Sequence, residues 1–418
     1  MRIALFSPMP PAKSGIADYS AALVSELKRL AEVDVFTEAP AQFEASRYDH
    51  CLYQIGNNPH HIVPYEMSLK HPGVVVLHEA NLHHLITDLT IRRNDWDAYM
   101  SEVAYNGTPE DVAYAEQYVR TLERGPDYDG VPMLRRIAES SRAVIVHSNC
   151  VGDEVRRAGF TGPIGRIWHG SWIVDADRNT WRDKLGVDEL SPLIGVFGFL
   201  KPYKRIAESL RAFRRVVRVE PRAKMILVGE AHPELNLDSL IESLGLQPYV
   251  RVMGFTPIEE FNGYLGACDI VLNLRYPTVG ESSGTLLRAL GMGKAVVVSD
   301  VGSFREYPDD VVLKAPVDAS EEDHIFEYLN TLVSRPEFAR SLGASAREWV
   351  KRECAWPVVA QHYLEFLKDP CGASFSSGGD LSPQTQTKLH SCGGEPPPEL
   401  KLAPQYAPEI RSWTEPAA

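Results

Sequence analysis

The stretch RYPTVGESSGTLLRALGMGKAVVVSDVGSFRE, residues 275–306, decides the fold. Gly280, Glu281, Ser282, Ser283 and Gly284 form a polar, glycine-bearing loop. From Thr285 the apolar residues fall at helical spacing, and Gly293–Lys294 breaks that pattern. AVVVS (295–299) then runs apolar without polar alternation, as a strand covered on both faces does. Loop, helix, break and buried strand in this order make one unit of a parallel α/β sheet. N–H groups at a helix start are unpaired and lie at the positive end of the helix dipole. Ser282, Ser283, Gly284 and Thr285 are therefore candidates to hold an anion. Asp300 follows the strand, at the carboxyl edge where open α/β sheets bind ligands.

The same alternation extends outward from this unit. LIGVFGF (193–199), KMILVGE (224–230), RVMGF (251–255), DIVLNLR (269–275) and VVLKAP (311–316) are short apolar runs, and a helical pattern spans Arg205 to Val219. An independent series precedes it: RIALFS (2–7), VDVFT (33–37), CLYQIG (51–56), VVVLHE (74–79) and AVIVHS (143–148). Between the two, residues 169–188 are polar and aromatic with no sustained period. A chain of 418 residues exceeds one ordinary core. The expected architecture is α/β, with two doubly wound Rossmann-like domains facing across a cleft. One covers residues 1–172 and the other 173–369, the latter closed by a helix over 356–367. Beyond Asp369 the chain is rich in Ser, Gly, Pro and Gln, so 370–418 reads as a disordered tail.

Composition excludes several classes. Net charge is −13, which argues against nucleic-acid binding through general charge. No apolar run approaches membrane-spanning length, and the six cysteines contain no CxxC pair. These features imply a cytoplasmic protein with reduced thiols. The pairs His60–His61 and His83–His84 have no further ligands at metal-binding spacing, so no metal site is expected.

Further candidates lie at the ends of the apolar runs. Ser14 and Gly15 precede a helix that begins near Ile16, after the first strand. His78 ends VVVLHE at a sheet edge; as a bland alternative, it caps a backbone group there. Lys204 and Arg205 stand at a helix start, where cations oppose the dipole unless an anion is near. Arg275 adds a third cation at the same edge.

Together these segments resemble the retaining glycosyltransferases of the GT-B fold, specifically glycosyltransferase family 4. SPMPPAKSGIADYS is similar to the family's acceptor-side glycine loop, VVLHE to the strand-end histidine beside the transferred sugar, and GFLKPYKRI to the diphosphate-binding segment. GESSGTLLRALGMGKAVVVSDVGSFRE resembles the family's paired-glutamate helix and donor-nucleoside loop. Aligned on Gly293 and Lys294, however, Gly280 and Arg288 stand where the family has its two glutamates, and Phe199 stands where it has an arginine.

The resemblance implies transfer of a sugar from a nucleotide diphosphate sugar, with retention and without a metal or other cofactor, to a saccharide or lipid-linked acceptor. It assigns His78, Glu281 and Lys204 to catalysis and Ser14 and Gly15 to the acceptor. Arg205, Arg275, Ser282, Ser283, Gly284, Thr285, Arg288 and Asp300 are left to the donor. It also allows peripheral contact with the inner face of a membrane, for which Trp96, Tyr99, Met100 and Tyr105 give an aromatic stripe that otherwise reads as core. Two other readings stay open: a nucleotide-sugar epimerase of the same fold, and a weakened nucleotide-sugar-binding protein.

Overall fold

The computed structural model describes residues 1–371. Two parallel sheets of six strands each carry the fold. The first is built from β1 (Arg2–Phe6), β2 (Glu32–Phe36), β3 (His50–Ile55), β4 (Val74–Leu77), β5 (Ala143–Val146) and β6 (Ile164–Arg166), in the order β2-β1-β3-β4-β5-β6. The second comprises β7 (Leu193–Phe197), β8 (Lys224–Val228), β9 (Val250–Gly254), β10 (Ile270–Asn273), β11 (Ala295–Ser299) and β12 (Leu313–Ala315), in the order β12-β11-β10-β7-β8-β9. Strand direction is parallel throughout; Leu272 pairs with Val297 on one side and with Val196 on the other. In each sheet the order reverses once, between β1 and β3 and between β7 and β10. At such a point the outgoing loops part and leave a crevice at the carboxyl ends of the strands.

The apolar runs are buried because helices cover both faces. Helix Gly15–Leu27 places Tyr19, Leu23 and Leu27 in the core, and helix Ile206–Val219 buries Ile206, Leu210, Phe213 and Val217. The start of the first is fixed by Ser14, whose Oγ accepts from Ile16 N. Helix Gly284–Gly291 begins one residue earlier than its apolar period, because Ser283 is its cap and accepts from Leu286 N at 3.2 Å.

Three features depart from the sequence reading. The polar stretch between the sheets contains a helix, Arg178–Leu185, capped by Asp177 and ended by left-handed Gly186. The closing helix, Trp356–Lys368, crosses back to the first sheet instead of staying with the second. Its Tyr363, Phe366 and Trp356 pack with Ile3, Leu5 and Tyr19, and Tyr363 Oη lies 2.7 Å from Tyr19 Oη. Glycine permits this approach: a Cβ on Gly165 would stand 2.6 Å from the Phe366 ring. Finally, the helical series from Leu82 onward is broken into short helices, and Trp96, Tyr99 and Met100 of the aromatic stripe within it face inward. Tyr99 and Met100 are buried, Trp96 packs on the same core, and Tyr105 donates to Glu139. No helix among the described residues is long and apolar enough to cross a membrane. The tail expected to be disordered lies, from residue 372, outside the described residues.

Candidate active site in the interdomain cleft

The carboxyl ends of the two sheets face each other across a cavity of about 530 Å³. Ser14, Gly15, Asp18, His78 and Glu79 line it from the first sheet, and Glu281, Ser282, Gly284, Thr285 and Arg288 from the second. Direct bonds tie the walls together: Ala80 N donates to Val279 O at 2.8 Å, and Ser171 Oγ to Leu287 O at 2.9 Å. Glu306 of the second half accepts from Asn149 N and Cys150 N, two unpaired donors at the start of helix Asn149–Arg157.

The wall from the second sheet is organised around the Gly284 helix. Ser283 Oγ donates to Asn273 Oδ1 at 3.0 Å and accepts from Arg275 at 3.1 Å, which fixes the cap. The N–H groups of Gly284 and Thr285 precede the first intrahelical bonds and are left for a ligand. Lys204 converges on the same place. A Cβ on Gly198 would stand 2.7 Å from Lys204 Nζ and 3.4 Å from Thr285 Oγ1, so the three share one small space. Gly198 has φ +88°, which also favours glycine there. Burial and the neighbouring Arg275 draw the Lys204 pKa down to about 7, and its Nζ donates to Phe197 O at 2.7 Å.

Arg205 goes elsewhere. It stands in the left-handed region at φ 55°, and its guanidinium is held by Glu321 and by Glu208 at 3.2 Å. It does not line the cleft, and its charge is neutralised by Glu321, which is itself buried. Asp300 likewise pairs with Arg305 at 2.9 Å outside the cavity lining. Arg275 reaches the site indirectly, by binding Glu281 at 3.0 Å together with Ser283. Glu281 Oε2 also accepts from Thr278 Oγ1 and Val279 N, so this carboxylate braces the loop. Arg288 does face the cavity; its Cζ lies 4.5 Å from the Trp172 ring centroid, with the charge of Asp18 acting on it from the first half.

The opposite wall is a layer of neutral imidazoles. His78, His147 and His169 follow β4, β5 and β6, and their rings stand 4.8 and 5.4 Å apart in sequence. His78 Nε2 bonds Gln54 Oε1 at 2.7 Å, His147 Nδ1 donates to Ile167 O, and His169 Nδ1 donates to Gly170 O. Burial lowers all of their pKa values, to about 4 for His147 and about 3 for His169. The unfolded chain takes up these protons near the ordinary histidine value, while the folded chain does not. Stability therefore falls as pH drops below about 6.5, by about 1.4 kcal/mol per pH unit for each buried imidazole. In His147→Asn the amide keeps the donor to Ile167 and removes the titrating ring. Urea unfolding from pH 7 to 4.5 should then lose one proton's worth of slope relative to wild type; equal slopes would refute this account.

Sequence reasoning passes over Glu79, His169, Trp172 and Asn58, all of which line the cavity. Glu79 had a signal, standing beside His78 at a strand end. Asn58, His169 and Trp172 had none, because only the sheet order brings their loops together.

Residues 177–349 match the family model described as Glycosyl transferases group 1. Over 383 residues the chain is 24% identical to a GDP-mannose-dependent alpha-(1-6)-phosphatidylinositol monomannoside mannosyltransferase of Mycolicibacterium smegmatis, covering 86% of this chain and 96% of the relative. Among solved structures, HepE of Anabaena in complex with UDP and glucose superposes with a TM-score of 0.59 at 17% identity, over 88% of this chain and 99% of that one. Sucrose-phosphate synthase of Thermosynechococcus elongatus does so at 0.60 and 18%, over 88% and 98%. A family match in the second half, a relative aligned along nearly its whole length and a shared two-sheet architecture lead to one conclusion: the chain has the GT-B fold, and its second half is similar to the group 1 glycosyl transferases.

Proposed function

We propose that the protein transfers a sugar from a nucleoside diphosphate sugar to a saccharide or lipid-linked acceptor, with retention of anomeric configuration and without a metal. The observation that carries this is the convergence of Lys204 Nζ with the start of the Gly284 helix at Gly198, where β7 and β10 part. As the bond from the anomeric carbon to phosphate oxygen breaks, its electron pair passes to the diphosphate. A lysine ammonium and fixed N–H donors placed there stabilise that charge more in the transition state than in the ground state. His78 is held neutral, so it serves as a hydrogen-bonding group for the sugar and does not act as an acid. Ser14 and Gly15, across the cavity, receive the acceptor, and a Cβ on Gly15 would meet nothing within 4 Å.

The mannosyltransferase relative makes GDP-mannose the first donor to test and a phosphoinositide mannoside the first acceptor. Release of nucleoside diphosphate across a panel of nucleotide sugars should rise on adding acceptor, survive EDTA and yield an axially linked mannoside by proton NMR. An inverted product, or activity abolished by EDTA, would overturn the corresponding part of the reading. Sugar conversion with no acceptor present would favour the epimerase.

A further inference from the structure

Three acidic side chains line the cleft, and they are not equivalent. Glu281 is occupied by Arg275, Thr278 and Val279 N. Asp18 lies in the first turn of helix Gly15–Leu27 and faces Arg288. Glu79 accepts one hydrogen bond, from Asn57 N at 3.1 Å, and forms no ion pair within 4.0 Å among the described residues. Its place is closely defined, because the next residue donates from Ala80 N to Val279 O, two residues before Glu281 in the loop that leads to the phosphate seat. A glycosyl group extending from that seat across the cavity meets the wall that carries His78 and Glu79.

We propose that Glu79 is a sugar-contacting residue, its carboxyl hydrogen-bonding a hydroxyl of the transferred sugar from the wall opposite Glu281. This rests on the transferase reading above. The family pattern places carboxylates at the positions held here by Gly280 and Arg288, and Glu281 is already engaged. Recognition of the sugar by a carboxyl therefore passes to the other domain.

The state of Glu79 suits the task. Burial raises its pKa to about 7, and the facing charge of Glu281 adds to this. Glu281 is itself paired with Arg275. From the 202–204 turn the phenol of Tyr203 faces the carboxyl, and His78 beside it is neutral. A bound diphosphate adds negative charge nearby, which keeps Glu79 protonated in the complex. A neutral carboxyl both donates and accepts, as a sugar hydroxyl does, with no unpaired charge to bury.

The test is binding of GDP, GDP-mannose, UDP and UDP-glucose by titration calorimetry to wild type, Glu79→Ala and Glu79→Gln. Glu79→Ala should weaken the nucleotide sugar that wild type binds by about tenfold or more, while its nucleoside diphosphate changes less than about twofold. Glu79→Gln, which keeps a donor and an acceptor, should recover most of that loss. The affinity ratio of nucleotide sugar to nucleoside diphosphate cancels the titration of Lys204. That ratio should fall above pH 7 in wild type and stay flat in Glu79→Gln. Equal loss for sugar and diphosphate, no loss for either, or a glutamine variant as weak as alanine would each overturn the proposal. If wild type binds neither diphosphate, the transferase reading itself fails, and this inference with it.

Discussion

Replacing Lys204 with Met should lower the turnover of nucleotide sugar by about 10²–10³-fold, the loss typical when a preorganised group that stabilises developing charge is removed. The ammonium shares one space with Gly198 and Thr285, where the departing diphosphate would sit. The same variant should remain folded, for a reason that is also electrostatic. In the free protein the buried ammonium is a cost, which is why its pKa falls to about 7. The unfolded chain holds that proton up to about pH 10.4, so Lys204 lowers stability as pH falls from there toward 7. Met retains the buried stem and removes the charge, at the loss of one bond to Phe197 O. The melting temperature at pH 7 should thus lie within about 3 °C of wild type. Nucleoside diphosphate binding to wild type should take up a proton above pH 7, measurable as a buffer-dependent enthalpy, and Lys204→Met should lack that uptake. Full turnover in the Met variant would remove Lys204 from the mechanism.

The second large effect concerns stability. Arg182 is 1% exposed, yet charged. Its Nη1 donates to Ala267 O at 3.0 Å and pairs with Asp269 at 3.2 Å, while Nη2 serves the carbonyls of Asp188 and Ser191. Asp269 in turn accepts from Leu193 N at 2.9 Å and pairs with Arg178, so one guanidinium joins helix Arg178–Leu185 to the starts of β7 and β10. Arg182→Met leaves three carbonyls and a carboxylate short of partners, and should cost about 3–5 kcal/mol. Urea unfolding should show this as an earlier transition of the second half, with the first half unchanged. Arg182→Met combined with Asp269→Asn should lose less than the sum of the single variants, because the two groups belong to one network. A single-variant loss under about 1 kcal/mol would show that the cluster is not a structural staple.

Much of this molecule can be read from its sequence because the relevant signals are local. AVVVS, VVVL and AVIV are apolar without alternation, which only a sheet covered on both faces accommodates, and all three are strands. Ser283 before a glycine and an apolar period is a helix cap whatever surrounds it. Helix Arg178–Leu185 is missed because eight residues with four charges give almost no period, although Asp177 and Gly186 mark its ends.

Neighbours in sequence can still part company in space. Lys204 ends a 3₁₀ turn and Arg205 takes a left-handed conformation, so one side chain enters the cleft wall and the other turns away from it to the buried Glu321. Nothing local to KRI distinguishes them, since the carboxylate that claims Arg205 lies 116 residues away. Glu281 and Glu79 divide in the same manner. Arg275 reaches Glu281 across a short loop, whereas Glu79 becomes a cleft residue only when β4 is placed opposite the loop after β10.

By itself, then, the sequence determined the strand–helix alternation, the two sheets and the polar loops at their carboxyl ends, because these depend on periodicity and caps spanning a few residues. Which charges face the cleft, and where the closing helix packs, was decided only by tertiary structure. Both depend on desolvation and on counter-charges supplied by residues tens to hundreds of positions away, and no local pattern encodes them.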